Sequence, residues 1–135
     1  MKPHLEEAAL MLRMADRDIT AVKVLSRAEE IHLSIVCFHA QQAIEKCFKA
    51  ILFCNLIEFR RTHDLDLLVE LLAEHHIAVP LSARQIAAIN PCAVRLRYDD
   101  LEIEVEYITR AELIVIVADA RAWAGQIFQA ANDSA

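Results

Sequence analysis

The sequence predicts a small all-α domain, and three observations predict it: a near absence of glycine, apolar residues returning at helical spacing, and paired helix-capping signatures. Hydrophobic residues make up 56% of 135 residues, yet there is one Gly, Gly125, and only three Pro. A sheet protein of this size needs many tight turns, and turns consume Gly, Pro and Asn. Abundant Ala, Leu, Ile and Glu favour helices instead. A chain of this length is expected to form one domain, here residues 1–135, burying roughly two-thirds of its unfolded surface.

The elements follow in order. Pro3 suits a first helical turn, where its missing N–H is no loss. From there Leu5, Ala8, Leu12, Ala15, Ile19, Val22 and Leu25 recur at three- and four-residue steps, predicting a helix that ends near Arg27, with Arg13, Arg17 and Asp18 on other faces. The second helix, Ile31 to Leu56, differs in kind. At about 100° per residue, Ala43, Ile44, Cys47, Phe48, Ile51, Leu52 and Cys54 share one broad face. The opposite arc carries Gln41, Gln42, Glu45, Lys46 and Lys49, but Ile31, Ile35 and Phe38 at its N-terminal end. A helix apolar nearly all round is buried there on all sides, by its own chain or by a second copy. Thr62 is placed to cap a third helix, His63 to His76, which Pro80 closes. Ser82 and Gln85 form a capping-box pattern opening a short helix that Pro91 interrupts. Leu101 to Tyr107 alternates strictly between apolar and polar residues; with no partner strand in the chain it reads as an acidic connector. Thr109 and Glu112 form the second capping pattern, opening a last helix through Trp123 and Phe128 to about Ala131.

Charge excludes one class of function. At a net −6 the chain is not a general coat for nucleic acid, whose phosphates demand a basic surface. Contact with RNA or a nucleotide has to be local, around a few arginines. Cys37, Cys47, Cys54 and Cys92 sit among apolar neighbours without a C-x-x-C pair, so they read as core residues rather than a zinc or redox motif. No metal or cofactor is called for. The N-terminal residues lack the apolar stretch of a signal peptide, and no apolar run approaches the ~18 residues of a membrane span. The chain is expected to be cytoplasmic.

Three segments carry a family likeness: Phe38-His-Ala-Gln-Gln-Ala-Ile-Glu-Lys46 with Lys49-Ala50, then Arg61-Thr-His-Asp-Leu65, then Ala93-Val-Arg-Leu-Arg-Tyr-Asp99. In that order, with long helices around them, they resemble the HEPN domain family. The resemblance implies a compact up-and-down bundle of about five helices and a homodimer. It also implies pairing with a minimal nucleotidyltransferase in a toxin–antitoxin-like couple. Catalytic members of the wider family are metal-independent ribonucleases with an Arg-x(4–6)-His motif. Here only Arg27 and His32 have that spacing, at the start of the second helix, whereas the family's motif lies later; no histidine follows Arg95 or Arg97.

A metal-independent ribonuclease needs a proton-transfer group and a cation facing the phosphate. His63 and Arg61, with Arg97 brought near by folding, are the candidates for cleavage; Arg60 and Tyr98 are candidates for contact with nucleotide or RNA. Against this, His63 and Asp64 are also what a first helical turn requires, Asp64 complementing the helix dipole. His39, Gln42 and Lys46 share one helix face, either as a polar pocket for a phosphate or base or as a hydrogen-bonded patch fixing helix packing or a dimer interface. Lys46 beside Glu45 also fits a solvated face. His75 and His76 point about 100° apart and suit an exposed helix end better than a metal site. The competing function is a non-catalytic interaction module whose polar stripe only organises assembly.

Overall fold

The computed structural model describes residues 1–93 and 108–135 of the chain, and within them the elements are five α-helices. α1 spans Pro3–Ser26, with Pro3 in its first turn and Leu5, Ala8, Leu12, Ala15, Ile19 and Val22 buried along one stripe. α2 spans Leu33–Cys54 and packs against all four other helices. Fourteen of its 22 residues are buried, so it has almost no face left for solvent. Ile31, Ile35 and Phe38, expected to be buried on this helix's second side, are half-buried in the single chain. The alternating stretch 101–107 lies outside the described residues, as do Arg97 and Tyr98.

α3 spans Leu65–Glu74, and its start corrects the sequence reading. Asp64, not Thr62, is the cap: its Oδ1 accepts from the Asp66 N–H at 2.9 Å. Thr62 Oγ1 instead accepts from the Asp64 N–H at 3.0 Å, so His63 precedes the helix rather than lying in its first turn. The choice is made by α4, Ala83–Ile89. Asn90 at its end accepts from the Leu65 N–H at 2.8 Å and donates to Asp64 Oδ1 at 2.9 Å. α4 itself opens on the full capping box: Ser82 Oγ accepts from the Gln85 N–H and Gln85 Oε1 from the Ser82 N–H. α5 spans Arg110–Asp133. Thr109 Oγ1 accepts from the Glu112 N–H at 3.1 Å, but the return bond from the Glu112 carboxylate goes to the Thr109 hydroxyl, not to its backbone. Leu113, Ile116 and Val117 are buried while Val115 is 57% exposed, the helical rather than the strand pattern.

A chain with one glycine has to end its helices without it. α2 and α3 both close with the paired bonds of a Schellman turn. Ile57 N–H reaches Leu52 O and Leu56 N–H reaches Phe53 O; in α3, Ile77 N–H reaches Leu72 O and His76 N–H reaches Ala73 O. The left-handed position falls on Leu56 (φ 54°) and His76 (φ 61°), a strain of about 1–2 kcal/mol each that glycine would avoid. The glycine is used elsewhere. A Cβ on Gly125, inside α5, would lie 2.8 Å from Arg121 Nη1. The open space lets the Arg121 guanidinium cross the helix surface and donate to Asp16 of α1 at 2.7 Å.

The core is apolar and tight around α2, with Phe48 meeting Trp123 of α5 edge to face at 5.9 Å. All four cysteines are buried thiols. Burial pushes the Cys47 thiol up to about 12 and the Cys54 thiol up to about 11. A hydrogen bond with Cys92, then burial, raises Cys37. All three stay protonated and unreactive at neutral pH. Among the described residues no helix is long and apolar enough to cross a membrane.

The end of α1 depends on a residue far along the chain. Arg110, at the start of α5, donates to the carbonyls of Leu25, Ser26, Ala28 and Ile31. The Leu25 and Ala28 carbonyls also accept from the Ala28 and Ile31 N–H groups, so Arg110 adds a second donor there and ties the end of α1 to the turn that follows it. Arg110→Ala is expected to lower stability by about 2 kcal/mol, the range for charged donors on backbone acceptors. Arg110→Lys should recover only part, because one ammonium cannot span four carbonyls. Urea denaturation reads both; an unchanged midpoint in Arg110→Ala would remove this clamp from the account.

Candidate functional site

The polar arc of α2 faces protein, not water. Gln41 is fully buried and Glu45 is 3% exposed, which corrects the reading of the Glu45–Lys46 pair as a solvated face. The physical reason is the central position of α2: α1 and the connector to α3 cover the side that its own sequence marks as polar. A buried carboxylate needs donors, and Glu45 has three. Its Oε1 accepts from Gln41 Nε2 at 3.3 Å and from His63 Nδ1 at 2.9 Å; its Oε2 accepts from Lys49 Nζ at 3.1 Å. Gln41 Nε2 also donates to the backbone carbonyl of His63 at 2.9 Å, and its own carbonyl accepts from Gln42 Nε2 at 2.6 Å. One helix thus holds His63 by both its ring and its backbone.

His39 and Lys46 join a second cluster. His39 Nδ1 donates to Asp18 Oδ1 at 3.1 Å and Lys46 Nζ to Asp18 Oδ2 at 2.5 Å, tying α2 to α1. Asp18, expected on another face of α1, is the acceptor for both. The stripe of His39, Gln42 and Lys46 therefore divides. Two members meet Asp18, and Gln42 meets the Glu45 network. Arg60 and Arg61 are exposed on the α2–α3 connector, three and two residues before His63. Arg61 borders a cleft with Lys49 and Phe59, and Arg60 borders a smaller one with Glu70 and Glu74 of α3.

Several residues carry jobs that sequence reasoning missed. Gln41 and Glu45 stand in the quoted motif, where Glu45 reads as part of a solvated face and Gln41 as a polar-arc residue without a role of its own. A signal was present: an arc otherwise continuous with Ile31, Ile35 and Phe38 is poor solvent surface. Of the pair with family spacing, Arg27 sits at the end of α1 and contributes its backbone N–H there, with its side chain exposed, while His32 caps α2, its Nδ1 accepting from the Ser34 N–H at 3.1 Å. His75 closes α3, its ring on the Leu71 carbonyl.

The geometry has a chemical consequence. An ionised carboxylate has no hydrogen to give, so the His63 ring proton in that contact sits on Nδ1. Nε2 is then the basic nitrogen, on a side chain that is 45% exposed. That is the arrangement of an oriented proton acceptor, with Arg60 and Arg61 as cations on the same connector.

The chain matches the sequence model of a family described as HEPN domain over residues 8–123. No curated protein and no solved structure matches it.

Removing Glu45 should be severe. Glu45→Ala leaves Lys49, 14% exposed, without its partner, and is expected to cost about 3 kcal/mol, as breaking buried ion pairs does. Glu45→Gln keeps the shape and one acceptor and should lose less. Chemical denaturation distinguishes the two, and a Glu45→Ala protein as stable as wild type would show that the carboxylate is not holding the network.

Proposed function

Since the chain belongs to the HEPN domain family, whose members are nucleic-acid-related and ribonuclease-like, we propose that it binds nucleotide or RNA on the face carrying Arg60, Arg61 and His63. In this reading it acts as a homodimer, through the half-buried arc of Ile31, Ile35 and Phe38, in a toxin–antitoxin-like system with a minimal nucleotidyltransferase. The observation that supports it is the buried Glu45 carboxylate holding His63 by Nδ1 beside two exposed arginines. Such support is what a proton-transfer histidine requires to keep one tautomer and one orientation.

The reaction we assign to this face is metal-independent cleavage. His63 Nε2 takes the proton of an RNA 2′-hydroxyl, and the 2′-oxygen attacks the adjacent phosphorus. The P–O5′ bond breaks, giving a 2′,3′-cyclic phosphate and a 5′-hydroxyl whose proton comes from water. Arg61 meets the charge that grows on the phosphoryl oxygens. Arg97, as a further cation for cleavage, and Tyr98, as a nucleotide contact, belong to the same proposal by residue type. The alternative, a non-catalytic helical interaction module, has one observation in its favour: the histidine of the pair with the family's Arg–His spacing, His32, has its ring engaged in capping α2.

Purified protein is expected to cleave structured RNA in excess chelator. His63→Ala should slow cleavage at least about a hundredfold, the usual range for losing a general base, while RNA binding persists. Undiminished cleavage would remove His63 from the mechanism. Binding without turnover in the wild type would overturn the cleavage step, and no binding at all would overturn the whole reading in favour of the interaction module.

A further inference from the structure

The chain's one glycine sits inside a helix, where glycine is unfavourable, and it leaves an opening at the seam of α1 and α5. Arg121 gives two of its guanidinium nitrogens to Asp16, Nε to Oδ1 at 2.7 Å and Nη2 to Oδ2 at 3.4 Å. The third, Nη1, lies over Gly125, 2.8 Å from where a Cβ would stand, and no acceptor among the described residues meets it. Asp16 thus fixes the guanidinium and leaves Nη1 to a second acceptor. The opening is a cleft of about 390 Å³. That volume lies within the ~300–1,000 Å³ of small-molecule sites.

The lining gives the chemistry of that acceptor. Leu12 and Phe128 form apolar walls, and Arg13 is a second cation, exposed on α1 and without an ion pair among the described residues. No carboxylate among the described residues lines the cleft. Asp16, which holds Arg121 from outside it, offsets one of the two positive charges. The charge that remains is balanced by a monoanion and exceeded by a phosphate dianion. A carboxylate also matches a guanidinium in its planar geometry. We infer that this cleft binds a small monocarboxylic acid with an aromatic ring, its carboxylate between Arg13 and Arg121 Nη1 and its ring against Leu12 and Phe128. The site uses none of the residues assigned above to cleavage or RNA contact. The inference therefore goes beyond that reading and does not rest on it.

Calorimetric titration with benzoate, phenylacetate and 3-phenylpropionate tests this, with acetate and phenylacetamide as probes lacking the ring or the charge. At least one aryl acid is expected to bind saturably, and both incomplete probes about tenfold more weakly or worse. Arg13→Gln removes a cation that has no ion pair elsewhere among the described residues. Gly125→Ala puts a methyl on the floor of the cleft and displaces Arg121 Nη1, a shift that the end of a flexible side chain makes without unfolding α5. Each variant should keep wild-type helicity and weaken the acid about fivefold or more. Absence of saturable binding by all three acids would overturn the inference, and so would equal affinity for phenylacetamide or acetate. Unchanged affinity in both variants would overturn the assignment to this cleft.

Discussion

A carboxylate inside a protein cannot be left without donors, and the placement of Glu45 is the constraint on which this structure turns. Glu45 is buried because α2 is buried, and α2 is buried because four other helices pack on it. Its donors then fix what lies around it. Gln41 and Lys49 come from one helical turn either side, but His63 comes from the connector to α3. Holding His63 there, with its carbonyl on Gln41, leaves the chain to enter α3 at Asp64. A polar network in the centre of an apolar bundle thus sets the register of one helix against the next. Such networks are costly when incomplete and rigid when complete. This one is complete on the Glu45 side.

The helix ends obey a second constraint, the scarcity of glycine. Two helices close through left-handed Leu56 and His76, and a third is closed from a distance by Arg110. Arg110 is the informative case. In the first turn of α5 a cation opposes its own helix dipole. The side chain serves another helix, however, reaching the negative end of α1 and the turn beyond it. The local cost at α5 is offset by hydrogen bonds to four carbonyls elsewhere.

Much of the fold was legible in the chain. The helical periodicity of α1, the Ser82–Gln85 box and the Thr109 cap are local signals, and local signals survive folding. The start of α3 was not legible, because Thr62 and Asp64 are both competent caps. The decision rests with Asn90, 26 residues from Asp64 in the chain. For the candidate site, His63, Arg60 and Arg61 stood out as residue types suited to phosphate chemistry. Their supporting residues did not. Amphipathic reasoning sends every polar residue of a helix to water, and that rule fails for Gln41 and Glu45 on a helix with no solvent face. Asp18 escaped for a related reason: its partners His39 and Lys46 lie on another helix, which no spacing within α1 records.

The central claim is that Glu45 sets the proton and the direction of the His63 ring. Long-range ¹H–¹⁵N spectra of the imidazole, taken where the ring is neutral, test it most directly. The account predicts a His63 protonated at Nδ1 with Nε2 bare, and a clear shift toward the Nε2–H form in Glu45→Gln. A His63 that carries its proton on Nε2 in both proteins would contradict it.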